Sequence, residues 1–315
     1  MTQTEVKELL NAGVHFGHLT RKWNPNMAPY IYMERNGIHI LNLYKTAAKI
    51  SEAQQALKKI ALSGRKILFV ATKKQAKDIV AEHSKKINMP YITERWPGGM
   101  LTNFITIRKA VKKMGSIDRM KKDGTFETLS KKEKLQVDRM RSKLEKNLGS
   151  ITDMTRLPGA IFIVDIKREN IAVKEAQKLN IPIFAMVDTN SDPRKVDFVI
   201  PSNDDASKSI DKVISLVTNA ISEGLSERKL EKEAEAKETE IKEAEVKEAE
   251  VKEVEVKKTE VKEVEVKEAE VKEAEVKEAE VKEAEVKEMP KTILKEKKIT
   301  KTKEKTKSSS KKTKK

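Results

Sequence analysis

Cysteine is absent from the chain. That excludes disulfide staples and thiolate metal sites, and it fits a protein working in a reducing compartment. Long apolar runs are missing as well. The longest, such as Ala160 to Val164 and Ile181 to Val187, fall far short of the ~20 residues needed to span a bilayer. The opening Met-Thr-Gln-Thr-Glu-Val-Lys-Glu-Leu-Leu has no basic region followed by an apolar stretch, so a soluble protein without a secretory leader is expected. Neither G-x-G-x-x-G nor G-x-x-x-x-G-K-[ST] occurs, which removes the two common pyrophosphate cradles. Aromatic residues make up only 4% of the chain, so the place where they collect is informative.

Charge is plentiful and unevenly spread. The 315 residues carry a net +16. Residues 291–315 hold twelve Lys against two Glu, residues 237–286 hold eleven Lys against nineteen Glu, and residues 1–225 keep +15. A globular part that basic usually faces a polyanion, through counterion release and electrostatic steering. Lysine outnumbers arginine 54 to 12, which also fits an AT-rich coding sequence.

Short apolar runs bounded by turn residues occur at 66–71, 90–93, 160–164, 182–187 and 198–200. They read as buried parallel strands. Amphipathic helical patterns at about 46–62, 73–87, 169–179 and 205–222 separate them, so the expected fold is α/β, a doubly wound, mainly parallel sheet of about five strands. One interval, 103–151, breaks the alternation. There Ile107, Val111, Met114 and Ile117 form one stripe and Val137, Met140, Leu144 and Leu148 another, with Asp123-Gly124 as a turn and Ser130-Lys131-Lys132-Glu133 as a capping box. An inserted helical coiled-coil hairpin is expected.

Beyond 225 the character changes. Ten pentads, mostly Lys-Glu-Ala-Glu-Val, run from 237 to 286. A five-residue period turns about 140° per repeat on a helix, so the valines form no stripe. A disordered or marginally helical charged tail is expected over 226–290, followed by a basic Lys-rich tail over 291–315.

Residues 13–43 hold three of the four histidines, one of the two tryptophans and two of the four tyrosines, interleaved with Arg21, Lys22 and Arg35. Rings beside cations on a loop-rich backbone suit RNA, because bases stack on rings and phosphates pair with Lys and Arg. Acidic residues Asp165, Asp188, Asp192, Asp204 and Asp205 gather at expected strand ends. Capping and turn formation account for them best, although His15 or His18 beside Asp188 would make a mixed N/O cation site. No catalytic triad, metal site or cofactor motif is called for, and no enzyme is expected. The histidines are read as packing and hydrogen-bonding residues, and the two competing classes are an enzyme using the strand-end aspartates and a protein-only adaptor using the coiled-coil hairpin.

Several stretches resemble the bacterial small-subunit ribosomal protein S2 family. They are Val14-His15-Phe16-Gly17-His18-x-Thr20-Arg21-x-Trp23-Asn24-Pro25, Arg35-Asn36-Gly37-Ile38-His39-Ile40, Arg95-Trp96-x-Gly98-Gly99-Met100-Leu101-Thr102-Asn103, and Val187-Asp188-Thr189-Asn190-x-Asp192-Pro193 with Asn203-Asp204-Asp205-Ala206. The likeness covers about 5–225, with Pro97 standing where the family usually has Leu. The resemblance implies a non-catalytic, ribosome-bound cytoplasmic protein between the head and body of the small subunit. It also implies contact with small-subunit ribosomal RNA, with neighbouring ribosomal proteins including the large mRNA-binding one, and with mRNA nearby. The residues expected to meet RNA are Arg21, Lys22, Trp23, Asn24, Arg35, Asn36, Arg95, Trp96, Arg108, Lys109, Lys112 and Lys113.

Overall fold

A computed structural model of the chain describes residues 3–234. The pentad and Lys-rich tails lie outside these residues, as do the side chains of residues 3–5. Helix α1 (Gln3–Asn11) leads into strands β1 (Phe16–Leu19), β2 (Ile31–Arg35) and β3 (Ile38–Leu41). There follow α2 (Leu43–Leu62), β4 (Ile67–Val70), α3 (Lys74–Lys86), β5 (Tyr91–Ile92), α4 (Phe104–Lys122) and α5 (Lys131–Leu148). Then come β6 (Ala160–Val164), α6 (Asn170–Lys178), β7 (Ile183–Val187) and β8 (Phe198–Pro201), and a helix, α7, over 207–234. The last runs without a break through the boundary expected at 225.

The large sheet has the order β5-β4-β6-β7-β8 and is parallel throughout. Strands β4, β6 and β7 are buried at every residue, as continuous apolar strands covered on both faces must be. Alternation divides their side chains. Ile67, Phe69, Phe162 and Phe184 join α2, α3 and α7 in one core layer, while Leu68, Val70, Ile161 and Ile183 meet α6 and the base of the helical hairpin in the other. Each such side chain contributes about 1.5–3 kcal/mol by burial.

Strands β1, β3 and β2 form a separate antiparallel sheet in that order, within the segment read from sequence as loop-rich. Asn36 (φ 53) and Gly37 (φ 69) make its tight β2–β3 turn, the two-residue geometry that needs positive φ at both positions.

In the 103–151 interval, α4 and α5 pack together. Arg141 pairs with Asp118 at 2.5 Å and Lys121 with Asp138 at 2.6 Å, so the helices run antiparallel. Met114, Ile117 and Leu148 of the expected stripes are buried and the rest half-buried. The Ser130–Glu133 capping box opens α5.

Candidate nucleic-acid interface

Three parts of the chain carry the residues expected to meet RNA. On the antiparallel sheet, Arg21 and Lys22 occupy an exposed turn, and Arg35 lies exposed at the end of β2. Trp23 is 38% exposed and rests on His39, with ring centroids 5.0 Å apart. The buried His39 ring packs against the indole at a tilt of 49°. Asn24 is partly committed: its Oδ1 accepts from Asn26 N at 2.9 Å, and its backbone N–H donates to Thr189 O at 2.7 Å. Asn36 has a structural reason to be where it is, the turn just described.

The second part is the Arg95–Thr102 turn that leads into α4. Arg95 is exposed, but Trp96 is only 6% exposed. The expectation that Trp96 stacks on RNA is corrected, because its ring belongs to the core and its Nε1–H donates to Glu175 Oε1 at 3.1 Å. The same carboxylate accepts from Gly99 N (2.8 Å), Leu101 N (2.9 Å) and Thr102 N (3.2 Å). Gly98-Gly99 is thus no phosphate loop, since the N–H groups of this turn face an internal anion. Burial pushes the Glu175 carboxyl up, but these donors outweigh it and hold it below its ordinary value.

Third, α4 presents Lys109, Lys112 and Lys113 to solvent. Arg108 is exposed but tied back, its Nη1 donating to Thr155 O at 3.1 Å.

Strand ends of the parallel sheet hold a different constellation. His18 Nδ1 lies 2.9 Å from Asp188 Oδ2, an ion contact although the ring N–H does not point squarely at the oxygen. His18 Nε2 lies 3.4 Å from Asp205, and Lys73 Nζ reaches Asp204 at 2.8 Å and Asp205 at 2.6 Å. The Asp188 contact raises the His18 pKa against the opposing effect of burial. Burial, with Asp188 and Asp165 nearby, pushes Asp204 up to about 7 against the pull of Lys73. His18, Asp188, Asp204 and Asp205 each offer one ligand atom within 4.8 Å of the others, a set able to hold a divalent cation, with the Lys73 ammonium already supplying positive charge. The cluster brings His18 to Asp188, the pairing weighed from sequence. The capping reading fits the other acids: Asp165 accepts from Lys167 N and Arg168 N, and Asp192 from Arg194 N.

The order of the sheet places a topological switch between β4 and β6, where open α/β sheets bind nucleotides. Buried Glu169 fills that point, accepting from the N–H and hydroxyl of Thr72, which Arg168 Nε also contacts at 2.9 Å. A carboxylate there repels phosphate. Lys73, Thr72, Glu169 and Glu175 had no sequence signal, because their partners lie 73 to 132 residues away.

Against this geometry, the sequence profile of the family "Ribosomal protein S2" matches residues 9–224. The chain belongs to this family. It is 82% identical over 232 residues to "Small ribosomal subunit protein uS2" of Flavobacterium johnsoniae, covering 74% of this chain and 91% of that relative. The counterpart from Flavobacterium psychrophilum is 80% identical over 231 residues, with 73% and 87% covered. The one from Phocaeicola vulgatus is 66% identical over 232 residues, with 74% and 83% covered. The protein is accordingly a structural component of the small ribosomal subunit and not an enzyme. Among the described residues no helix is long and apolar enough to cross a membrane.

Proposed function

We propose that the chain fixes small-subunit ribosomal RNA between the head and body of the subunit, and that it does so by backbone neutralisation at two separated patches. One is the antiparallel sheet, through Arg21, Lys22, Trp23 and Arg35; the other is the hairpin, through Arg95, Lys109, Lys112 and Lys113, acting as a coiled-coil arm. The observation that carries this reading is the exposed Trp23 ring packed against His39, in a segment where Arg21, Lys22 and Arg35 are exposed and have no ion-pair partner among the described residues. A stacking surface beside phosphate partners is what single-stranded RNA requires. Neighbouring ribosomal proteins, the large mRNA-binding one among them, complete the expected surroundings, supporting subunit assembly and mRNA engagement in the cytoplasm.

The test is the double charge reversal Arg21→Glu/Lys22→Glu. Both side chains are exposed, so the melting midpoint of the isolated protein should stay unchanged. Incorporation into small subunits at moderate salt should fall at least ten-fold, because two phosphate contacts become repulsions. Normal co-sedimentation with small subunits would sink the assignment.

A further inference from the structure

A cavity of about 470 Å³ opens between α6 and the β7–β8 connection, at the carboxyl ends of β6 and β7. Its size lies within the range that accommodates small ligands. It is one strand removed from the switch point that Glu169 fills, and no residue expected from sequence to touch RNA lines it except Asn24.

Its chemistry comes in three kinds. Ile166 and Val173, both buried, form an apolar floor. Lys167, Lys174 and Lys195 stand exposed around it, and among the described residues none of the three has an ion-pair partner. Asp192 is the single acidic residue in the lining, and its Oδ1 already accepts from Asn26 Nδ2 at 3.1 Å and Arg194 N at 3.2 Å. The site is therefore net cationic.

The carboxamides in the wall divide by what they have left to offer. Asn190 is consumed, with Nδ2 on His18 at 3.1 Å and Oδ1 accepting from Ser191 at 2.7 Å. Gln177 uses its amide on Lys195 O at 2.9 Å and keeps its carbonyl as an acceptor. Asn24 uses Oδ1 on Asn26 N and keeps Nδ2 as a donor, while Asn170 lines the cavity exposed to solvent. Donors and acceptors side by side match the edge of a nucleobase. A bare phosphate would need only donors, and it would gain nothing from an apolar floor.

We propose that this cavity receives one unpaired nucleotide of RNA. The base lies on Ile166 and Val173, its edge meets Asn24, Asn170 and Gln177, and its flanking phosphates meet the three lysines. This rests on the RNA-binding reading above and gives it a third contact point, one that pins a single splayed base rather than a stretch of backbone.

The experiment measures binding of the full chain to small-subunit ribosomal RNA over a salt series, wild type against Lys167→Gln/Lys174→Gln/Lys195→Gln. The salt slope of log affinity should become shallower by ~2, as the loss of about three single-strand phosphate contacts requires. A second arm uses RNA duplexes with and without one bulged nucleotide. Wild type should prefer the bulged form at least several-fold, and Asn170→Ala should lose that preference while keeping the wild-type salt slope. Identical slopes for wild type and the lysine variant, or no preference for the bulge, overturn the proposal while leaving RNA binding intact. Failure of the wild type to bind the RNA at all overturns the underlying reading instead. If the lysine variant binds RNA normally but no longer holds a purified neighbouring ribosomal protein, the cavity is a protein site and the proposal fails.

Discussion

Four N–H donors from one turn, those of Trp96 Nε1, Gly99, Leu101 and Thr102, converge on the Glu175 carboxylate. A buried donor left without an acceptor costs ~1–3 kcal/mol, and water relieves only part of the deficit when the side chain is cut back. Glu175→Ala should therefore lower unfolding free energy by about 3–5 kcal/mol, read from the denaturant midpoint, with a change in the near-ultraviolet signal of Trp96. A loss under ~1 kcal/mol would mean that the turn holds its shape alone. Asp204 gives a pH signature of opposite sign to an ordinary salt-bridged acid. Its carboxyl is pushed up to about 7 in the fold, so the native state keeps a proton that the unfolded chain releases near pH 4. The stability it contributes is complete at low pH and is lost as pH rises toward 7. His18, also raised, loses its contribution as pH rises past its ordinary value. Asp205, held low by Lys73 against burial, acts in the reverse direction near pH 4. With EDTA present, the wild-type melting midpoint should fall between pH 5 and 7.5, and Asp204→Asn should flatten that decline. An unchanged slope in the variant would rule out Asp204 as its source.

At the scale of elements, the parallel strands were legible because continuous apolar runs such as Ala160 to Val164 leave a segment little choice but burial on both faces. The helical hairpin was legible for a related reason, two stripes of 3/4 spacing and a capping box that forms as written. The antiparallel sheet was not. Strand β1 is exposed at its two end residues and β2 at four of its five, so no alternation of apolar and polar residues announces them. The sign that was there is Asn36-Gly37, the dipeptide that best favours a two-residue hairpin turn. Gly37→Val tests its weight. Nothing lies within 4 Å of an added Cβ, so the cost is conformational alone, at φ 69. A loss of about 1–3 kcal/mol is expected, together with weaker RNA binding as Trp23 and Arg35 lose their register. A neutral result would show that the turn tolerates a β-branched residue.

Over the whole molecule, the +15 carried by residues 1–225 made RNA the expected partner, and the absent pyrophosphate motifs argued against a nucleotide enzyme. The structure adds a physical reason why phosphate is disfavoured at the β4–β6 switch point itself: the buried Glu169 carboxylate occupies it. The sequence by itself determined the elements of the parallel sheet, the place of the inserted hairpin and the family, because local periodicity and contiguous motifs are written in neighbouring residues. Tertiary structure alone decided that Trp96 is core rather than contact, that His18 and Lys73 meet at Asp205 with Asp188 and Asp204 beside them, and that three lysines surround one cavity. Those outcomes depend on residues far apart in the chain, and on which of them the packing excludes from water.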